Sequence, residues 1–291
     1  MTRRNTWADY AIHMLLMLIA LITILPFYNV FITSFADPAE MMKQRFYLIP
    51  TSFDLASYKI LLEGSYVGKA LVNSLIVTLV GTAVNILVTT CGAYALSKKG
   101  MPGRTFMMGG IVFTMLFSGG LIPYYLTIKN LHLINSYAVM FLPMTVSTFF
   151  LIVMINQFRM VPPSLEESAK IDGANDIYIL FRIVIPISKP TIAAITLFYA
   201  VARWNEWYHA MLFVNDPKMH PMQLFLRNML ADVTKMSRDD MGASMVAQLR
   251  ETYPDGLKMA SVVITMVPIM LIYPYLQKYF SAGVTLGAVK E

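Results

Sequence analysis

Charged residues and cysteine are scarce in this 291-residue chain. Asp, Glu, Lys and Arg make up only 14% of it, whereas 57% is hydrophobic, so much of its surface must face lipid rather than water. Its single cysteine, Cys91, excludes a disulfide within the chain, and we interpret it as a small buried residue. The four histidines, at 13, 132, 209 and 220, are scattered, and no metal site is predicted.

Long charge-free runs are abundant instead. A bilayer core of about 30 Å requires roughly 20 apolar residues of helix. Runs of about that length without Asp, Glu, Lys or Arg are His13–Phe35, Ala70–Ser97, Thr105–Ile128, Leu133–Phe158 and Met259–Gln277. A shorter run, Pro190–Ala202, is followed by Arg203 and Glu206. Because these two residues are three apart, they share one helical face and can pair, which lowers the cost of placing them near the membrane.

The sequence therefore predicts an all-α integral membrane protein. Residues 1–291 form one transmembrane domain with six spanning helices, at about 12–35, 70–97, 105–128, 135–158, 187–212 and 259–278. An even number of spans places both termini on one side. Arg3, Arg4, Lys98, Lys99 and Arg104 favour cytoplasmic N- and C-termini, because positive residues accumulate on the inner side of a membrane.

The most informative polar segment runs from Arg159 to Pro186. Ser164 followed by Glu167 has the spacing of a capping box, which predicts the start of a helix. Gly173 can end this helix in a left-handed turn, and Asn175 or Asp176 can cap a second helix. The apolar face of the second helix is predicted at Ile177, Leu180, Phe181 and Val184. Two short helices at about 164–182 suit either a lever that moves the spans or plain packing at the membrane interface.

The same segment resembles the EAA signature of ABC importer permeases. Glu167, Ser168 and Ala169 are followed after three residues by Gly173, and after nine more by the run 183–186, which ends at Pro186. Ser168 stands where the common signature has Ala, and Ile185 where it has Leu. The element WNEW at 204–207 and the tail LQKYFSAGVTLGAVKE are similar to the carbohydrate branch of these permeases, the maltose type. The tail also resembles permeases for complex or acidic oligosaccharides, including an alginate importer subunit.

This resemblance implies a type I ABC importer permease in the bacterial cytoplasmic (inner) membrane. The implied partners are a second homologous permease subunit, two ATP-binding-cassette ATPase subunits, an extracytoplasmic solute-binding protein, a carbohydrate substrate and membrane lipid, without nucleic acid. It also implies that residues of the signature couple the chain to the ATPase. These are Glu166, Glu167, Ser168, Ala169, Asp172, Gly173, Ala174 and Pro186. Pro186 most simply starts the fifth span, where its missing N–H is harmless, and a capping role alone would also explain Glu167.

An ABC permease has no nucleotide site of its own, and the sequence agrees. The string nearest to a P-loop, GSYVGKA at 64–70, has three residues between its glycines instead of four and lacks the Ser or Thr that would hold magnesium. We therefore predict that the chain is not an enzyme and has no catalytic residue. It needs no cofactor, and ATP and Mg bind to the partner ATPase.

Polar residues inside the spans are candidates for the substrate pathway, because sugars are held by hydrogen bonds and aromatic stacking. They are Asn73, Ser74, Asn85, Asn156, Trp204 and Asn205. Each of the polar residues can instead bond to a neighbouring helix, and Trp204 can lie at the membrane interface. Two other functions stay open: an ion-coupled secondary carrier or channel, with Arg203 and Glu206 as its charged pair, and a membrane-embedded enzyme.

Overall fold

The computed structural model of the chain describes residues 7–36, 53–63, 65–231 and 255–271. These residues are predominantly helical, and the β pairing seen among them is an isolated bridge between Ala36 and Phe53. The predicted all-α class is therefore confirmed. The chain divides into two compact units, one within Met1–Gly68 and Leu226–Pro268 and the other within Lys69–Phe225 and Ile269–Glu291.

The first unit contains α1 (Trp7–Ser34), α2 (Ala56–Glu63) and the helical residues 255–268. Apolar side chains are exposed on all sides of α1, as expected for a helix surrounded by lipid. Ser34 Oγ lies 2.7 Å from Tyr58 Oη, which links the end of α1 to α2. Arg3, Arg4 and the last part of the predicted sixth span lie outside the described residues.

The second unit includes most of α3 (Ser65–Ser97), a long uninterrupted helix. After a short connection come α4 (Arg104–Leu116) and α5 (Leu121–Asn130), which are bent by 119° relative to each other. The predicted third span, 105–128, is thus two helices. Gly120 at the break has a φ of +84°, a conformation that glycine adopts without steric cost.

The predicted fourth span, 135–158, is helical over only part of its length. A 3₁₀ turn, Tyr137–Met140, precedes α6 (Thr148–Arg159). Between them lies Pro143, whose backbone cannot donate the hydrogen bond that a continuous helix needs. The fourth span therefore begins with irregular backbone.

The rest of the second unit is a series of shorter helices. They are α7 (Pro163–Ile171), α8 (Asp176–Ile187), α9 (Lys189–Trp204), α10 (Tyr208–Phe213) and the start of α11 (Met222–Ala231). The helices α8 and α9 are bent by 88°. The predicted fifth span, 187–212, therefore contains α9, a break and α10.

Among the described residues, two helices are long and apolar enough to cross a bilayer alone, in the segments Asp9–Ser34 and Tyr66–Ser97. In the same part of the chain, two bent pairs, α4 with α5 and α8 with α9, reach this length together. The count of six spans and the orientation of the termini stay predictions. Cys91 is exposed on α3, so its interpretation as a buried residue is wrong.

Buried side chains in the described part of the second unit form two apolar clusters. The first, which we call the α6 cluster, joins α6 to α8 and α9 and includes Leu151, Met154, Ile155, Phe158, Ile179, Leu180, Val184, Ile195 and Tyr199. The second joins α3 and the 3₁₀ turn to α10 and includes Val77, Val139, Met140, Phe213 and Leu224. The α6 cluster matters for function, because it places the Arg159–Pro186 segment in direct contact with longer helices.

Candidate coupling and substrate-pathway sites

The helix α7 starts without the predicted capping box. It begins at Pro163, with Pro162 as its N-cap and no side-chain hydrogen bond to the cap. Proline suits the first helical position, because its φ is already helical and it has no N–H to leave unsatisfied there. Ser164 consequently lies inside the first turn. The prediction of a helix is confirmed, whereas the role of Ser164 as its N-cap is wrong.

The end of α7 is as predicted. Gly173 has a φ of +83°, and its N–H donates to the Lys170 carbonyl at 3.0 Å. The N–H of Ala174 donates to the Ala169 carbonyl at 2.9 Å. This pair of bonds is a Schellman motif, which satisfies carbonyls at the end of the helix. The turn therefore fixes the direction in which the chain enters α8.

Asn175 caps α8, since its side-chain oxygen accepts a hydrogen bond from the Tyr178 N–H at 2.8 Å. The predicted apolar face is partly wrong. Leu180 and Val184 are buried together with Ile179, whereas Ile177 and Phe181 are exposed. The segment Leu180–Val184 is π-helical, and its wider turn does not follow the 3.6-residue period on which the prediction relied.

Pro186 does not start the fifth span. It lies inside α8, and the bend to α9 comes after it, at Ser188. Proline cannot donate to the carbonyl four residues earlier and its ring collides with that carbonyl. The N–H of Ile185 bonds to the Leu180 carbonyl, five residues back. The wide turn thus lies directly before the proline, where an α-helix would be disrupted.

Most of the candidate coupling residues lie on α7 or in the turn at Gly173, and Pro186 lies in α8. Glu167, Ser168, Asp172, Gly173 and Pro186 are exposed, whereas Ala169 and Ala174 are half-buried against the α6 cluster.

Exposed apolar side chains lie beside these residues. Ile171 is 87% exposed and Ile177 is 70% exposed, and Tyr178 and Phe181 are also exposed. We call these four residues the apolar ridge. Isolated exposed apolar residues are common, but a group of this size next to a structured turn is typical of a protein-binding surface.

Glu166 is already paired within the chain. It forms a salt bridge with Lys98 in the connection after α3, and the two side chains are 21% and 28% exposed. Lys98 Nζ also lies 4.0 Å from the centroid of the Tyr94 ring. Burial lowers the pKa of Lys98, but the hydrogen bonds to Glu166 and Tyr94 raise it, and the net effect is a pKa above its usual value.

Two of the substrate-pathway candidates hold the second unit together. Asn73 donates to the carbonyls of Lys218 and His220 at 2.8 and 3.0 Å and accepts from Tyr137 Oη at 2.8 Å. Ser74 Oγ accepts from the Met222 N–H at 2.8 Å. Their hydrogen-bonding groups are therefore engaged inside the chain.

The other candidates do not form one site. Asn156 is exposed on α6, and Asn205 accepts a hydrogen bond from Gln223 at 2.9 Å. Trp204 is buried at the end of α9. Asn85 is fully buried on α3, and among the described residues its amide has no hydrogen-bond partner. Asn85 is thus a buried candidate whose amide is left for water or a ligand to satisfy.

Arg203 and Glu206 pair as predicted, with 3.8 Å between Nη1 and Oε2 and both side chains 7% exposed. They do not share one helical face, because α9 ends at Trp204. Arg203 Nη1 also donates to the Met140 carbonyl at 2.6 Å. Glu206 Oε1 accepts from the backbone N–H of His209 at 2.9 Å, and Oε2 lies 3.0 Å from His209 Nδ1. Arg203, Glu206 and His209 therefore form a buried cluster.

A pocket of 460 Å³ that was not predicted from the sequence lies beside this cluster. It is lined by Ser118, Gly119, Gly120, Leu121, Pro123, Tyr124, Thr127, Met144, Tyr208 and His209. We call it the break pocket, because it surrounds the break between α4 and α5. The consecutive glycines at 119 and 120 are the signal that could have revealed it.

No protein-family model matches the chain. It is 42% identical to the polygalacturonan/rhamnogalacturonan transport system permease protein YtcP of Bacillus subtilis, over 99% of both chains. It is 41% identical to the protein LplC of Bacillus subtilis, over 92% of this chain and 90% of LplC. A crystal structure of a bacterial ABC transporter that imports the acidic polysaccharide alginate contains a similar chain. The TM-score is 0.86 at 29% identity, over 96% of this chain and 100% of the other.

Proposed function

Because the chain belongs to the family of permease subunits of carbohydrate ABC importers, we propose that its cargo is an acidic oligosaccharide derived from polygalacturonan. The observation that carries this proposal is the 42% identity to a polygalacturonan/rhamnogalacturonan permease over 99% of both chains. The likeness to a transporter chain that imports alginate supports it. Both polymers are built from sugar acids that carry a carboxylate on the ring.

Family membership settles the general function. The chain is a multi-pass membrane protein and the permease subunit of a carbohydrate importer, and ATP hydrolysis occurs on separate chains. A permease of this kind works with a partner permease, ATPases and a solute-binding protein. The alternatives of an ion-coupled carrier or channel and of a membrane-embedded enzyme are therefore set aside.

The finer organisation is part of the proposal. We place the chain in the bacterial cytoplasmic membrane, beside a second homologous permease and above two ATPase subunits that bind ATP and Mg. The exposed apolar side chains of α1, α3 and α4 suit lipid or the partner permease. The solute-binding protein would deliver the sugar from the opposite side.

The docking surface for an ATPase is, in this proposal, the turn between α7 and α8. Glu167, Ser168, Asp172 and Gly173 are exposed there, and the apolar ridge lies next to them. Protein interfaces combine an apolar core with a polar rim, and this turn likewise combines apolar side chains with a few charged ones. Glu166 has a different role, because its carboxylate faces Lys98.

A movement of this surface can be transmitted directly to the longer helices, because both belong to the α6 cluster. Ala169 and Ala174 pack against the α6 cluster, and Ile179 and Val184 of α8 are buried within it beside residues of α6 and α9. Packed interiors are dense and transmit displacement rather than absorbing it. A shift of the turn by an ATPase would therefore move α6 and α9 together.

Transport by the assembled complex tests the proposal. The chain is co-expressed with its partner subunits, reconstituted in proteoliposomes and supplied with binding protein and ATP. Uptake of oligogalacturonides is compared with uptake of arabino-oligosaccharides. We expect ATP-dependent uptake that prefers the oligogalacturonides. A preference for the neutral sugar would overturn the acidic cargo, and full ATPase binding by a chain with the 167–173 sequence scrambled would overturn the docking surface.

A further inference from the structure

We propose that the break pocket is a binding subsite for one sugar residue of the transported oligosaccharide, and that it recognises ring hydroxyls rather than carboxylates. The inference rests on the proposed function, since it assigns a place to the carbohydrate within this chain. The break pocket has a volume of 460 Å³, within the range of about 300–1,000 Å³ that is common for small-molecule sites.

The location of the break argues for a hydrated cavity. Phe117–Gly120 is not helical, yet it lies in the middle of the charge-free run Thr105–Ile128. Inside a bilayer, irregular backbone is tolerated only where it is covered by protein or lines a space that contains water. The pocket is that space, because Ser118, Gly119 and Gly120 of the break line it. A polar solute can therefore replace water there.

Two side chains of the pocket, His209 and Tyr124, have buried polar atoms without a partner, and Glu206 fixes the His209 ring. His209 Nδ1 lies 3.0 Å from the Glu206 carboxylate, which can only accept a hydrogen bond, so Nδ1 carries the hydrogen. Its side chain is 7% exposed, and Nε2 has no partner among the described residues. Tyr124 Oη is likewise buried and without a hydrogen bond in this part of the chain. Buried polar atoms of this kind are costly unless a ligand or water satisfies them.

The charge balance of the pocket favours a hydroxyl. Behind His209, the negative charge of Glu206 is paired with the positive charge of Arg203. With Nδ1 donating to Glu206, Nε2 is the ring nitrogen left for a ligand, and Tyr124 Oη both donates and accepts. A sugar hydroxyl matches both groups. A carboxylate would need charged donors, and none of the residues that line the pocket is Lys or Arg.

Aromatic rings form the walls beside these polar atoms. The rings of Tyr124 and Tyr208 stand nearly perpendicular to the His209 ring, at 74° and 87°, with centroids 6.0 and 5.5 Å from it. Tyr208 is half-exposed, so a face of the ring is available for the apolar side of a pyranose. Aromatic walls with a few fixed polar groups are the usual composition of a small-molecule site.

Protection of an engineered thiol is the first test. Cys91→Ala removes the only native thiol, after which Thr127→Cys places one in the pocket and Asn215→Cys places one in an exposed loop outside it. The solubilised complex with binding protein is treated with a thiol reagent, with and without oligogalacturonide or arabino-oligosaccharide. We expect the transported sugar to cause loss of labelling of T127C and no change in N215C.

A second test uses native side chains. Tyr124→Phe removes one pocket hydroxyl, and Tyr125→Phe is its matched control, because Tyr125 stacks on Phe213 outside the lining. We expect Y124F to raise the sugar concentration for half-maximal uptake about fivefold, the equivalent of one neutral hydrogen bond, and Y125F to leave it unchanged.

The outcomes separate the two proposals. If oligogalacturonides are transported while T127C is not protected and Y124F behaves as Y125F does, the subsite is wrong and the acidic cargo stands. If only arabino-oligosaccharide protects T127C, the subsite stands and the acidic cargo is wrong. A T127C thiol that is inaccessible with or without sugar would also overturn the subsite, because the pocket would then be filled by protein.

Discussion

Lys98 and Glu166 form a salt bridge that ties the connection after α3 to the first turn of α7. The Tyr94 ring, at the end of α3, lies under the same ammonium group. Within the second unit, the proposed docking turn is therefore attached to a long helix by charge as well as by packing. A shift of α7 would act on α3 through this bridge.

Glu166→Gln is expected to loosen this attachment. Removing the charge of a partly buried pair should destabilise the chain by about 0.5–1 kcal/mol. It should also lower the amount of sugar transported per ATP hydrolysed. Thermal unfolding in detergent measures the stability, and the reconstituted complex gives the amount of sugar transported per ATP. The exchanged pair Lys98→Glu with Glu166→Lys should restore part of the loss, and no recovery would mean that the salt bridge is not the cause.

The pH dependence of the bridge has a definite sign. The pKa of Lys98 is raised above its usual 10.5, so its stabilising contribution is fully present below about pH 10.5 and is lost as pH rises through the raised pKa. The difference in unfolding midpoint between wild type and E166Q should therefore stay constant from pH 7 to 9 and shrink above about 10.5. A difference that already disappears near neutral pH would contradict this assignment.

Gly173→Ala is expected to strain the docking turn. No atom lies within 4 Å of an added Cβ, but the φ of +83° is unfavourable for an L-residue, and the cost is about 1–2 kcal/mol. The variant should bind the ATPase more weakly, as measured by co-purification. Gly100→Ala is the matched control, since it also has open space but no positive φ. Gly173→Asn should be tolerated better than alanine.

Gly81→Ala is expected to disturb the packing of α3. Its Cβ would lie 2.9 Å from Phe141 Cβ and 3.0 Å from Arg203 Cδ, and such overpacking costs about 1–3 kcal/mol. Gly92→Ala on the same helix meets only Leu151 Cδ1 at 3.7 Å, so its helix propensity should stabilise it by up to about 1 kcal/mol. Opposite shifts of the two unfolding midpoints would confirm the close approach, and equal shifts would exclude it.

Asn73→Ala tests whether this residue binds substrate or holds the fold. It would leave two carbonyls and Tyr137 Oη without their partner, at a cost of about 2 kcal/mol or more. The unfolding midpoint should therefore fall, while the affinity for sugar of the variant that folds stays unchanged. Asn156→Ala, at an exposed position of α6, should leave the midpoint unchanged. Weaker sugar binding by a fully stable N73A protein would instead favour substrate contact.

The sequence predicted several features that depend on local chemistry, although the N-cap at Ser164 is not among them. Gly173 and Asn175 act as expected, because a left-handed turn and an N-cap are decided by one residue and its neighbours. Arg203 and Glu206 pair for the same reason. The family followed from a linear motif, whose spacing is visible without a structure.

Features that depend on tertiary contacts were missed. Charge-free composition does not distinguish one straight span from the bent pair of α4 and α5, since both are apolar. The stabilising role of Asn73 needed the position of Lys218 and His220, which are far away in sequence. The sequence does not distinguish His209 from the other histidines, because no residue near it in the chain indicates that Tyr124 lies beside it.

The wide turn before Pro186 sets the orientation of the part of α8 that precedes it. Closing this turn to ordinary α-helical geometry without removing a residue would rotate the preceding part of α8 by about 100° relative to α9. The Schellman turn would then point in another direction, even though no residue in it had changed. Homologues should accordingly keep the wide turn at this point of the chain.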